Sequence, residues 1–176
     1  IRGGRKSSHW IWYVWPSLKE VRKTSKPQYS LRHVDDVKSF LSDTMLHARL
    51  MEISQVALGH LLNGVKPEVL FGARVDVEKF RECTTCFALC AVASGDAPLA
   101  ELMLSCLTAL GGALDAATVK YLCQDLNLAE VSTVEELRRH FAAPAETPEA
   151  PAAVEAAVAE APAVVEALAA PLPDAD

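Results

Sequence analysis

Two cations, two hydroxyls and a histidine stand ahead of a crowd of aromatic rings in the stretch GGRKSSHWIWYVWP, Gly3 to Pro16. These residue types suit anion recognition. If Ser7 or Ser8 caps a helix carrying His9 to Trp15, the free N–H groups of its first turn, with Arg5 and Lys6, form a seat for phosphate or carboxylate. Arg5 and Lys6 would then contact the anion, Ser8 would orient it, and an exposed ring such as Trp12 would stack a flat moiety. Asp76 and Lys79 either reach the same pocket from a later helix or form a structural ion pair. The stretch is not a nucleotide-triphosphate loop, because it lacks the G-x-x-x-x-G-K-[ST] spacing and no strand precedes it.

A second reading makes the protein an enzyme on a nucleotide-like or ADP-ribose-like substrate, with His9 as acid or base and Asp76 beside it. A third makes it a protein-interaction module that uses a basic head and an acidic tail and needs no pocket. Aromatic residues beside basic ones also occur in single-strand nucleic-acid sites, but the acidic remainder of the chain argues against that partner. Trp10, Trp12 and Trp15 are expected to serve mostly in packing, since the whole run cannot face solvent.

Cys83, Cys86 and Cys90 form a C-x2-C-x3-C pattern that places three thiols near one helical face. A zinc site needs a fourth ligand at matching spacing, and only the isolated Cys106 and Cys123 remain. Buried free thiols are the expectation. His33, His47, His60 and His140 show no metal-like spacing, and Asp35-Asp36 reads as charge at a helix start. No metal and no cofactor are expected.

The elements that must position these residues are helices. Val34 to Leu41 has apolar residues at helical spacing. Asp43 reads as the N-cap of a long helix to about Leu62, closed by Asn63-Gly64. Pro67 to Phe71 is a short helical turn stopped by Gly72. A fourth stretch runs from Asp76 to about Ala93, and Asp96 with Pro98 starts another that stops at Gly111-Gly112. Asp115 caps the next, to about Leu126. Ser132 and Glu135 read as the capping box of a last helix ending near Phe141. His9 to Trp15 is ambiguous, apolar on both faces at either period. The pattern predicts an all-α, single-domain bundle or α-α array of about six to seven helices over residues 1–141.

Residues 142–176 change to Ala, Pro, Glu and Val, with prolines at 144, 148, 151, 162, 171 and 173. That composition predicts a largely disordered acidic tail. The net charge of −6 is unevenly spread: the chain to His33 is basic, and no Lys or Arg follows Arg139. Five cysteines without a signal peptide suggest a reduced, cytoplasmic setting. The longest apolar runs fall short of the roughly 20 residues of a membrane span. A small anionic ligand or a protein is the expected partner, and nothing in the pattern sets an oligomeric state.

Gly4-Arg5-Lys6, Ser8 to Tyr13 and Pro16 resemble the G-R-K-x-S-H-W-M-W-F-x-F-P-Q signature of a small helical family, domain of unknown function eighteen-ten. Further matches follow in order. Tyr29-Ser30-Leu31 is similar to its Y-A-I, and Phe40-Leu41 to its Y-L. Leu46 with Arg49-Leu50 is similar to L-G-x-R-L. Phe71-Gly72, Asp76, Lys79, Thr85 and Phe87 are similar to F-G-x-x-D-x-x-K-L-x-S-x-M-T-L-F. Gly112, Asp115 and Thr118 are similar to a closing G-x-x-D-x-x-T-L. The likeness runs from Ile1 to about Leu122. It implies a compact helical domain and no particular activity. It also implies a further helix before the G-R-K block, so the chain reads as N-terminally short. Ser17 stands where the family has Gln, His47 where it has Gly, and Cys83 and Cys86 where it has Ser and Leu. Members are often labelled calpastatin, but nothing between Ile1 and Phe141 has the disordered repeats that such inhibitors use.

Overall fold

A computed structural model describes residues 1–142, and they are helical. The α-helices are α1 (Ile11–Val14), α2 (Val34–Ser42), α3 (Thr44–Leu62), α4 (Pro67–Phe71), α5 (Arg74–Ser94), α6 (Ala97–Ala109), α7 (Ala116–Leu126) and α8 (Val134–Ala142), with one 3₁₀ turn at Pro27–Tyr29. The all-α expectation holds. The count exceeds it because the aromatic stretch contributes the four-residue α1. Ala142 ends α8, and the rest of the composition-biased tail lies outside the described residues.

The fold is organised around α5. Its first half carries charge and its second half is apolar, and from Phe80 to Ala91 nearly every side chain is buried, including Thr84 and Thr85. Such a helix needs neighbours on all sides. The chain turns at Gly95, which ends α5 in the left-handed conformation (φ 75°), and α6 folds back along it. α3 covers α6, α7 packs on α5, and α1, α2 and α4 also pack against α5. Thr84 donates its hydroxyl to the Phe80 carbonyl at 2.8 Å, and the Thr85 hydroxyl accepts the Asp115 N–H at 3.0 Å. Both buried polar groups are therefore satisfied.

The caps follow the sequence closely. The Asp43 carboxylate accepts from the Met45 and Leu46 N–H groups at 2.9 Å each, Asp96 from Leu99 at 3.2 Å, and Asp115 from Thr118 at 2.8 Å. The last helix departs by one residue. Its capping box is Thr133 with Glu136, not Ser132 with Glu135: Thr133 Oγ1 accepts from the Glu136 N–H at 3.3 Å, and Glu136 Oε2 accepts from the Thr133 and Ser132 N–H groups at 3.2 and 2.6 Å. The reason lies outside the helix. Gly112 to Leu114 pair with Ser132 to Val134 through Leu114 N–H to Ser132 O at 3.1 Å and Val134 N–H to Gly112 O at 3.0 Å. That pairing holds Ser132 extended and moves the cap to Thr133.

The N-terminal arm is pinned by the Lys6 N–H to the Leu70 carbonyl, 2.7 Å. Beyond α1, Leu18 pairs with Leu31. The Lys19 N–H donates to Leu31 O at 2.8 Å, and the Leu31 N–H to Ser17 O at 3.1 Å. The loop between them is thus tied at its base, which sets Ser17 beside Ser30.

Candidate functional site

The helix expected to begin at Ser7 or Ser8 does not form there. α1 begins only at Ile11, its N-cap is Trp10, and no side chain caps it. Ser8, Arg5 and His9 are exposed on the arm before it. A single turn of helix offers no aligned N-terminus to hold an anion, so the seat expected at that helix start is not built. The helix is short because Trp15 must turn inward. Its ring is fully buried, edge-on to Phe80 at 4.8 Å and to Phe71 at 5.6 Å, and its indole N–H donates to Ser54 Oγ at 3.1 Å.

Lys6 leaves the surface. Its ammonium lies 2.6 Å from Asp76 Oδ2, and Lys79 lies 3.2 Å from the other oxygen. α5 starts at Arg74, two residues earlier than expected. Asp76 therefore sits inside the first turn with its side chain turned to the two lysines, one turn before Lys79. The ion pair is real, but it is buried and has three members. Burial alone pushes the Asp76 carboxyl up; the hydrogen bonds from Lys6 and Lys79 outweigh it, and the carboxyl is held below its usual value. Two ammonium groups against one carboxylate leave a net positive charge under the arm.

That charge borders a small cleft of about 10 Å³ lined by Trp12, Ser17, Arg22, Thr24, Ser30 and Lys79. Trp12 comes from α1, Lys79 from α5, and the others from the tied loop. The Lys79 ammonium stands 6.0 Å from the centre of the Trp12 ring, at the edge of cation–π range. The Trp12 indole nitrogen is buried and reaches no acceptor among the described residues. Arg22 is braced from behind by Glu82, with both carboxylate oxygens 2.8 Å from Nε and one 2.5 Å from Nη2. Trp12, Lys79, Arg22 and three hydroxyl-bearing residues line the cleft, and Arg22 is already paired with Glu82 and Glu78. Each of these side chains carries a hydrogen-bond donor.

Of the residues singled out in the sequence, Trp12 and Lys79 line this cleft, and Lys6 and Asp76 stand behind Lys79. Arg5, Ser8 and His9 remain on the exposed arm, and no hydrogen bond joins His9 to Asp76. Ser17, Arg22, Thr24 and Ser30 were not anticipated. They lie in a loop with no periodicity, and only the backbone pairing of Leu18 with Leu31 brings them to Trp12. Among the described residues, no group of three His, Cys, Asp or Glu side chains is placed to hold a metal ion, and no helix is long and apolar enough to cross a membrane.

Residues 1–122 match the model of a family described as "Protein of unknown function (DUF1810)". The chain belongs to this family. The whole cleft, its buried lysine pair and α1 to α6 fall inside the matched residues, whereas α8 lies beyond them. Comparisons with curated proteins and with solved structures return no match.

Proposed function

We propose that the domain binds a small oxyanion, and that the cleft beneath Trp12 is its seat. The observation that carries this reading is the Trp12 N–H, buried without an acceptor, on a residue that lines a cleft whose other polar side chains can all donate. A buried unsatisfied donor costs about 1–3 kcal/mol, and an incoming phosphate or carboxylate oxygen relieves it. The cleft admits about one oxygen atom, so the anion sits at its mouth with that oxygen inside and Lys79 beside it. Lys6 and Asp76 act behind: Asp76 holds Lys79 in place, and Lys6 keeps the balance of charge positive. Arg5 and Ser8, flanking Lys6 on the exposed arm, are the groups available to the remainder of a larger ligand, such as a nucleotide or ADP-ribose.

The test is a thermal-shift and calorimetric titration of the full chain with inorganic phosphate, sulfate and ADP-ribose, with adenosine as the uncharged control. Occupancy at 100 times the dissociation constant stabilises a fold by about 2.7 kcal/mol, which is readily seen. Phosphate or ADP-ribose stabilises the wild type, adenosine does not, and Lys79→Ala and Trp12→Phe each abolish the shift. If no anion stabilises the wild type, or if Trp12→Phe binds as the wild type does, the reading is wrong.

A further inference from the structure

A second and larger cavity, of about 430 Å³, opens on the other side of the aromatic stretch, between α1, the end of α2 and the first half of α3. Its size falls within the range of roughly 300–1,000 Å³ that small-molecule clefts occupy. Leu46, Leu50 and Ile53 recur at helical spacing along one side of α3 and form its floor, with Phe40 at one end. Tyr13 forms a wall. It is the most exposed ring of the aromatic stretch, 52% accessible, and it is held upright between Trp12 at 5.9 Å and Tyr29 at 5.8 Å. A ring packed against two neighbours and still half exposed offers a stacking surface whose ordering cost is reduced.

The rim of this cavity carries charge of one net sign. Arg2 and Glu52 are paired with each other across it and balance. Arg49, on α3 between Leu46 and Leu50, also lines the cavity and makes no ion pair among the described residues. An apolar floor, an aromatic wall and one uncommitted guanidinium at the edge describe the complement of a specific class of compound.

We infer that this cavity binds a flat, mainly apolar monoanion, an aromatic carboxylate of about two fused rings. The ring system stacks on Tyr13 and lies over Leu50 and Ile53, and the carboxylate takes both donors of the Arg49 fork. The site is distinct from the oxyanion seat, since the two cavities share no lining residue.

The experiment is calorimetric titration of the full chain with 2-naphthoate, and with 2-naphthamide as its uncharged counterpart. The wild type binds 2-naphthoate saturably at one site and binds the amide about tenfold more weakly, the loss expected for one charge-assisted hydrogen-bonded pair. Arg49→Glu weakens 2-naphthoate by about tenfold or more and leaves the amide unaffected. Val56→Trp, which fills the cavity from α3, abolishes both. Lys79→Ala changes neither; loss of 2-naphthoate binding in Lys79→Ala would place the carboxylate in the oxyanion seat and overturn the inference. Circular dichroism confirms that each variant is folded. Absence of saturable 2-naphthoate binding, or binding indifferent to both Arg49→Glu and Val56→Trp, overturns the inference; the second result would mean that the naphthalene settles elsewhere.

Discussion

Asp76 receives two ammonium groups on one carboxylate, and the burial of that trio decides its energetics. Lys6 and Asp76 side chains are only 6% and 10% exposed, so removing the acid leaves two cations facing each other in a poorly solvated place. Asp76→Asn is expected to destabilise the protein by about 3–5 kcal/mol at pH 7. The pH dependence follows from the depressed carboxyl. A carboxylate held below its usual value of about 3.9 stabilises the fold above that value, and the contribution disappears as pH falls through the lower folded value. Urea unfolding at pH 7, 5 and 3 should show the gap between wild type and Asp76→Asn nearly constant down to pH 5 and narrowing at pH 3. A gap unchanged at pH 3 contradicts the assignment. Asp36, pulled down to about 2 by its hydrogen bonds from Arg32, is present in both proteins and cancels from the comparison. All three charged residues of the trio stood out in the sequence. Their mutual pairing did not, because Lys6 and Asp76 are 70 positions apart and the contact depends on the arm being pinned to α4.

Among the helices, the short local signals were the legible ones. Asp43, Asp96 and Asp115 each cap the helix that their position announces, since a cap is a bond between a side chain and an N–H two or three residues on. The last helix shows the limit of that reasoning. Ser132 and Thr133 both begin a possible capping box, and only the pairing of Gly112–Leu114 with Ser132–Val134 selects Thr133. Thr133→Ala should therefore cost about 1 kcal/mol, whereas Ser132→Ala should stay within about 0.5 kcal/mol of wild type. Chemical unfolding of the two variants checks this, and a larger loss for Ser132→Ala would return the cap to the earlier residue. α1 failed for the converse reason. An apolar run without polar punctuation has no cap and no period, so its four helical residues were set by where Trp15 had to be buried.

The five thiols report on the whole molecule. Cys83, Cys86, Cys90, Cys106 and Cys123 are all buried and unpaired with one another as disulfides. Burial holds the Cys83 thiol well above its usual range and pushes Cys106 up to about 12. Cys86 is raised well above its usual range, first by its hydrogen bond with Cys90 and then by burial. Since the thiolate is the reactive form, the folded protein should resist a disulfide reagent such as DTNB at pH 8. Labelling of Cys83, Cys86 and Cys106 should proceed only as fast as the fold opens. Peptide mapping after timed labelling, in buffer and in denaturant, tests this; rapid native labelling at Cys83 or Cys106 would mean that α5 or α6 opens locally. Cys90, on the wall of a cleft between the ends of α2, α5 and α7, is the position expected to react first.

The sequence by itself determined the helical class, most helix limits, the family and the free, inward thiols. These depend on periodicity and on contacts spanning a few residues, which any stretch of chain displays on its own. Only the tertiary structure decided which polar groups face one another. It withdrew Lys6 into an ion pair, left Arg5, Ser8 and His9 on the surface, and assembled the small cleft beside Trp12 from α1, α5 and a loop with no pattern of its own. It also turned Tyr13 outward while Trp15 turned in. Four aromatic rings in six residues compete for one buried position. Their neighbours along the chain are too alike to rank them, and the packing of α1 on α5 is what chose.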